Sequence, residues 1–243
     1  MPFAPGAGTR IYYTESGPAE GRPMLLLHAA LQTSESMEPL RELLSPLGLR
    51  LIAVDQRGHG RTANPGRSFH MAQLADDIDG LMRHLGLERP LLAGYSLGGI
   101  VGIELARRGL LGGLVVLASR IRPARRGRES FAPESIRARS PLWAKQLAER
   151  HVEVAWEELA VELGELLTTW PGFEPEELAR IRIPLLVVQG DKDQMVSLQH
   201  ARDLASAVPG ARLSIVPRAG HPELLYRAET RERVYEFVRD LLG

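Results

Sequence analysis

The residues with the clearest chemical meaning form the pentapeptide Gly94-Tyr95-Ser96-Leu97-Gly98. It follows a short apolar run, Leu91-Leu92-Ala93, and opens a stretch of helical character from Ile100 to Arg108. A serine on a tight strand-to-helix turn has its hydroxyl thrust out of the chain. Such a turn leaves no room for side chains two positions either side, which accounts for Gly94 and Gly98. The N-terminus of the following helix points backbone N–H groups at the spot where an oxyanion would form. Ser96 is therefore expected to act as a nucleophile. The competing reading is a glycine-rich turn with an incidental serine.

A serine hydroxyl is a poor nucleophile alone and needs a base oriented by a third group. The chain has seven histidines: His28, His59, His70, His84, His151, His200 and His221. Only His221 lies beyond the last strand-like run, in the turn Arg218-Ala219-Gly220-His221-Pro222, from which an imidazole could reach Ser96. It is the expected base, with a plain helix-entry residue as the alternative. His84, His151 and His200 fall in helical patterns and read as surface or packing residues. The acid should follow the preceding strand, and Gly190-Asp191-Lys192-Asp193 does so directly. Spacing allows either aspartate, the other serving to stabilise a turn.

These residues need a scaffold, and the chain alternates short apolar runs with helical patterns, the mark of βαβ units and a mainly parallel sheet. Strands are expected at 10–15, 24–28, 49–54, 90–95, 114–118, 184–189 and 212–216. Helices are expected at 36–47, 71–85, 97–108, 198–207 and 223–242. Met24 to His28 is continuously apolar up to the histidine, as suits a strand buried on both faces. Residues 121–180 break the alternation. They show no strand-like run and read as a helical cap inserted at the carboxyl ends of the strands, where open α/β sheets bind ligands.

That stretch holds all three tryptophans, Trp143, Trp156 and Trp170, together with Phe131 and Phe173. They either line an apolar substrate pocket or form the cap's own core. Its entry is basic: Arg120, Arg122, Arg125, Arg126, Arg128, Arg137 and Arg139 face only Glu129 and Glu134. Such a run is either a solvated face or a place where a guanidinium grips a substrate carboxylate or phosphate.

The bulk properties bound the rest. The chain's 243 residues suit one α/β unit with an insertion. Acidic and basic residues balance at 30 each, so charge gives no argument for nucleic acid or an anionic membrane as partner. Cysteine is absent, which excludes disulfides, thiolate metal sites and a thiol nucleophile. The first ten residues show no secretory pattern, and Met24–Leu31 is far short of the ~20 residues a spanning helix needs. A cytoplasmic monomer or homodimer needing neither cofactor nor metal is expected.

Four motifs together resemble the α/β-hydrolase superfamily, in particular its bacterial esterases, enol-lactonases and cofactor-free haloperoxidases. They are Leu25-Leu26-Leu27-His28, Asp55-Gln56-Arg57-Gly58-His59-Gly60, Gly94-Tyr95-Ser96-Leu97-Gly98-Gly99, and Gly190-x-x-Asp193 with Gly220-His221. The resemblance covers nearly the whole chain outside the cap. It implies a twisted, mainly parallel sheet with helices on both faces, a core of residues 1–120 and 181–243, and a small helical cap at 121–180. It implies that Asp193 is the catalytic acid, that Asp191 is the turn residue, and that His59 is structural. The implied oxyanion donors are the backbone N–H groups of Leu97 and Ala30. Ala29 departs from the pattern, standing where relatives usually have glycine, and this bears on the backbone of the first donor's loop.

The implied activity is hydrolysis of a small ester or lactone through an acyl-enzyme on Ser96. Enol-lactone or C–C bond hydrolysis, perhydrolysis and lyase chemistry are alternatives on the same scaffold, as is a non-catalytic ligand-binding protein. A serine nucleophile argues against the related dehalogenases and epoxide hydrolases, which use aspartate.

Overall fold

Apolar runs of five or six residues, too short for helices and rich in Leu and Val, build the centre of the molecule. The structure, a computed structural model, describes residues 2–66 and 69–243. The strands are β1 (Phe3–Pro5), β2 (Arg10–Ser16), β3 (Pro23–Leu27), β4 (Arg50–Val54), β5 (Leu91–Tyr95), β6 (Gly113–Leu117), β7 (Leu185–Gly190) and β8 (Arg212–Val216). They form one sheet in the order β1-β2-β4-β3-β5-β6-β7-β8. β1 and β2 run antiparallel, and every pairing from β4 through β8 is parallel. The three-residue β1 escapes sequence reading because it carries no apolar run.

The helices are α1 (Glu38–Leu44), α2 (Met71–His84), α3 (Leu97–Arg107), α4 (Gly127–Phe131), α5 (Pro133–Arg139), α6 (Pro141–Arg150), α7 (Trp156–Thr169), α8 (Pro175–Leu178), α9 (Leu198–Ala207) and α10 (Ala228–Asp240). Two expected helices come out shorter. The 36–47 segment is α1 between two 3-10 turns, the second carrying Pro46, which cannot continue an α-helical ladder. The last helix starts at Ala228, not Glu223, because Arg227 is extended and the Glu223 carboxylate is drawn back to the Gly220 N–H at 2.8 Å. Residues 121–180 contain α4 to α8 and no strand among the described residues. No described helix is long and apolar enough to cross a membrane.

Alternation along each strand divides the core into two layers. Leu25 and Leu27 of β3 join one layer with Ile78 of α2, Ile103 of α3 and Leu204 of α9. Met24 and Leu26 join the other with Leu40 of α1 and Val234 and Phe237 of α10. Helices thus cover both faces, which is why the central strands have no polar side. Truncating one of these leucines to alanine would cost about 2–5 kcal/mol.

Register then places the chemistry. Leu27 lies opposite Gly94, Tyr95 opposite Leu117, Leu117 opposite Val188, and Gly190 opposite Val216. The carboxyl ends of β3, β5, β6, β7 and β8 therefore line up along one edge. His28, Ser96, Ser119, Asp193 and His221 all lie in the loops or turns leaving that edge.

Candidate active site

β5 runs directly into α3 with Ser96 as the single connecting residue. Ser96 has φ 53° and ψ −108°, a left-handed backbone that serine adopts only under constraint. Three hydrogen bonds impose it. The Ser96 N–H donates to the Leu117 carbonyl at 2.8 Å, the Gly98 N–H donates to the His28 carbonyl at 3.1 Å, and the Ser119 hydroxyl donates to the Ser96 carbonyl at 2.8 Å. The glycines are steric necessities. A Cβ on Gly98 would stand 2.3 Å from the Leu27 carbonyl oxygen, and one on Gly94 2.3 Å from that of Gly98. Leu97 is the first residue of α3, so its N–H has no partner within the helix. Ser96 keeps partial solvent exposure while its neighbours on both sides are buried.

Beyond β7 and β8 the two expected partners meet. Asp193 Oδ2 lies 2.7 Å from His221 Nδ1. The same oxygen accepts from Gln189 Nε2 at 2.9 Å, while Oδ1 accepts the N–H groups of Met195 and Val196, both at 2.8 Å. Burial alone would raise the Asp193 pKa, but the bond and charge of His221 and the two amides outweigh it and hold the carboxyl below its ordinary value. A carboxylate on Nδ1 selects the tautomer whose Nε2 is free to accept a proton. Asp191 does something else: its Oδ1 accepts the Arg218 N–H at 2.6 Å, tying together the turns after β7 and β8. Of the two aspartates that residue spacing left open, Asp193 is the one in contact with the imidazole.

The imidazole is also supported from the elbow. The Tyr95 hydroxyl donates to the His221 carbonyl, and the two rings stack with centroids 5.4 Å apart and 25° between planes. Burial, reinforced by the Asp193 charge, raises the Tyr95 pKa, so the phenol stays a donor. Ser96 follows Tyr95 directly, so this contact holds the histidine loop against the turn that carries Ser96. No hydrogen bond joins Ser96 Oγ to His221 among the described residues; such bonds often tighten only when substrate arrives. Neither Tyr95 nor Gln189 was singled out from sequence. Gln189 carried a signal, being the one polar residue in the apolar strand Leu185–Gly190.

The loop after β3, with Ala30 in it, rests on three buried histidines. His28 Nε2 accepts the Gln56 N–H at 3.0 Å while its Nδ1 donates to the Ala29 carbonyl at 2.8 Å. His59 Nε2 accepts the Leu31 N–H at 3.1 Å, its Nδ1 donating to the Arg57 carbonyl at 2.9 Å. His151 Nδ1 accepts the Gly60 N–H at 3.0 Å, its Nε2 donating to the Leu31 carbonyl at 3.3 Å. Each ring accepts on one nitrogen and donates on the other, so each is a neutral imidazole of defined tautomer. Burial drives all three pKa values down, His28 to about 4. Ala29 tolerates replacing glycine because its φ is negative; the left-handed residue here is Leu31, at φ 60°. His151 is thus a buried packing residue, but one that holds Leu31 from across the chain.

The three tryptophans occupy different settings. Trp156 is buried, with the Arg137 guanidinium 5.1 Å over its ring. Trp170 is buried edge-on to Phe173, centroids 5.0 Å apart. Trp170 and Phe173, but not Trp156, line a cleft of about 850 Å³ together with Phe69, Glu104 and Arg107; Ser96 and His221 are not among its lining residues. Trp143 is half-buried at the start of α6, where the Ser140 hydroxyl caps its N–H at 3.2 Å. Of the other helical histidines, His84 is exposed and His200 accepts the Ile121 N–H at 3.3 Å.

Comparison with known proteins agrees with this architecture. The model of the alpha/beta hydrolase family matches residues 24–237, and the chain belongs to that family. It is 26% identical over 267 residues to a non-heme haloperoxidase of Rhodococcus erythropolis, spanning 95% of this chain and 96% of that protein. Among solved structures it superposes on a thermophilic esterase from Thermogutta terrifontis with TM-score 0.78 and 25% identity, covering 99% and 97% of the two chains. It superposes on the enol-lactonase from Burkholderia xenovorans LB400 with TM-score 0.79 and 23% identity, covering 99% of each. The last likeness is one of fold.

Proposed function

We propose that the protein is a serine hydrolase that cleaves a small carboxylic ester or lactone through an acyl-enzyme on Ser96. The observation that carries this reading is the buried Asp193–His221 pair, 2.7 Å apart, stacked beside the strained turn that presents Ser96. His221 Nε2 takes the Ser96 proton as Oγ attacks the carbonyl carbon. Asp193 orients the ring and stabilises the imidazolium. The N–H groups of Leu97 and Ala30 hold the oxyanion, and the imidazolium returns its proton to the departing alkoxide. A water deprotonated by His221 then attacks the acyl carbon, and the acid leaves with Ser96 regenerated.

The likeness to a thermophilic esterase at 25% identity supports ester-bond substrates over the other reactions open to the scaffold. The test is covalent labelling with a fluorophosphonate probe alongside turnover of short p-nitrophenyl esters. Native protein should label and turn over, and Ser96→Ala should do neither. Equal labelling of the Ser96→Ala variant would refute the assignment.

A further inference from the structure

The basic run 120–139 sorts into two groups. Arg122 pairs with Asp203 at 2.5 Å, Arg126 with Glu129 at 2.6 Å, and Arg137 with Glu157 at 2.6 Å. Arg128 is bound to Glu165. Arg120, Arg125 and Arg139 have no acidic partner among the described residues. Arg139 donates only to the carbonyls of Ser130 and Ser135. These three unpaired arginines all line one cleft of about 910 Å³. Its other walls include Ala124, Phe131, Ala138 and Met195. The cleft is cationic with an apolar lining, and its one acid, Glu129, is already taken by Arg126.

The cleft borders the candidate active site. Arg120 follows Ser119, whose hydroxyl holds the Ser96 carbonyl at 2.8 Å. Its Nη2 donates to the Met195 carbonyl at 2.8 Å, in the loop that follows Asp193. Arg120 is half-buried, and burial lowers its pKa against the opposing pull of the Asp193 charge. Asp193 cannot pair with it, since both carboxylate oxygens are occupied by His221, Gln189 and two amides. A partly desolvated guanidinium without a counter-anion is costly, and its planar fork matches a carboxylate.

We propose that this cleft binds a carboxylate carried by the substrate, so that the enzyme prefers esters or lactones bearing a free acid over neutral ones of equal length. The proposal rests on the serine-hydrolase reading and names its substrate class. Arg120 anchors the carboxylate, Arg125 and Arg139 add charge, and Phe131 and Met195 flank the intervening chain. Because the cleft reaches Arg120 and Met195, next to Ser119 and Asp193, but is not lined by Ser96 itself, the preference should peak at one spacer length.

The test compares mono-p-nitrophenyl esters of succinic, glutaric, adipic and suberic acids with neutral p-nitrophenyl esters matched in length. At the best length the ratio of kcat/KM, anionic over neutral, should be about tenfold or more, and the anionic KM should rise with salt. Arg120→Met should bring the ratio toward one, and Arg120→Lys should retain part of it. Arg83→Met, on exposed α2 surface, should leave it unchanged. A native ratio of one at every length overturns the proposal. So does an Arg120→Met variant that slows both substrates equally, since Arg120 would then only brace the Met195 loop. Fluorophosphonate labelling of native protein separates the two ideas: without labelling the serine reading fails, whereas labelling with a ratio of one removes only the carboxylate site.

Discussion

His151, at the end of α6, accepts the Gly60 N–H across 91 positions of sequence at 3.0 Å, and the next residue, Val152, returns an N–H to the Gly60 carbonyl at 3.1 Å. The other nitrogen of His151 donates to the Leu31 carbonyl. One imidazole thus fastens the 121–180 segment to two loops of the sheet's carboxyl edge, and one of those loops carries Ala30.

This arrangement makes stability sensitive to acid. In an unfolded chain the imidazoles titrate at about 6.5. In the fold burial lowers all three, His28 to about 4. As pH falls below about 6.5 the unfolded chain binds protons that the native state refuses, and stability declines by up to roughly 1.4 kcal/mol per pH unit for each histidine. Urea unfolding between pH 7.5 and pH 5 should show this decline, and His151→Gln should remove about one proton's share of the slope. An identical slope in both proteins would mean that His151 does not titrate with unfolding.

The two aspartates beyond β7 should separate cleanly. Asp193→Asn removes the carboxylate that selects the His221 tautomer, and kcat should fall by about 10⁴-fold. Asp191→Asn can still accept the Arg218 N–H and touches no imidazole, so it should cost less than about tenfold. Steady-state kinetics on one ester decides it; the reverse ranking would reassign the acid.

Gly98→Ala places a methyl 2.3 Å from the Leu27 carbonyl oxygen, a backbone atom that cannot swing aside. The elbow must move, with a destabilisation of about 1–3 kcal/mol or more and a far larger loss of labelling at Ser96. Thermal unfolding and probe incorporation together test this. A variant that labels at the native rate would show the turn to be looser than its contacts imply.

Away from the site, Arg57 and Asp77 form a bidentate pair, 2.7 Å in both bonds, each side chain 1% exposed. Breaking it with Arg57→Met should cost about 3–5 kcal/mol, because Asp77 would be left charged and buried. Arg57→Met combined with Asp77→Leu should recover much of that loss in urea unfolding. If the double variant is no better than the single, the penalty comes from packing and not from the stranded charge.

Much of this protein could be read along the chain. The central strands were visible because strands covered by helices on both faces must be apolar at every position. The Ser96 turn was visible because close backbone approaches demand Gly94 and Gly98 at set offsets from Ser96. His221 stood out by its place after the last apolar run. Each of these signals is local: it lies within a few residues of the atoms it constrains. Other features had no such signal. Residue spacing alone could not rank Asp191 against Asp193, since both leave the same strand and differ only in which way the turn aims them. Nothing in the helical pattern around His151 marks it as the partner of Gly60 and Leu31. Nor does a run of arginines show that four are paired while three converge on one cleft. Local patterning was enough to mark seven of the eight described strands, the order of strands and helices, and the residue types able to do chemistry. Tertiary structure alone decided which carboxylate meets the imidazole, which histidines stay neutral and which cations lack a partner. Those outcomes depend on burial and on distances between residues far apart in the chain, and both exist only once the sheet has assembled.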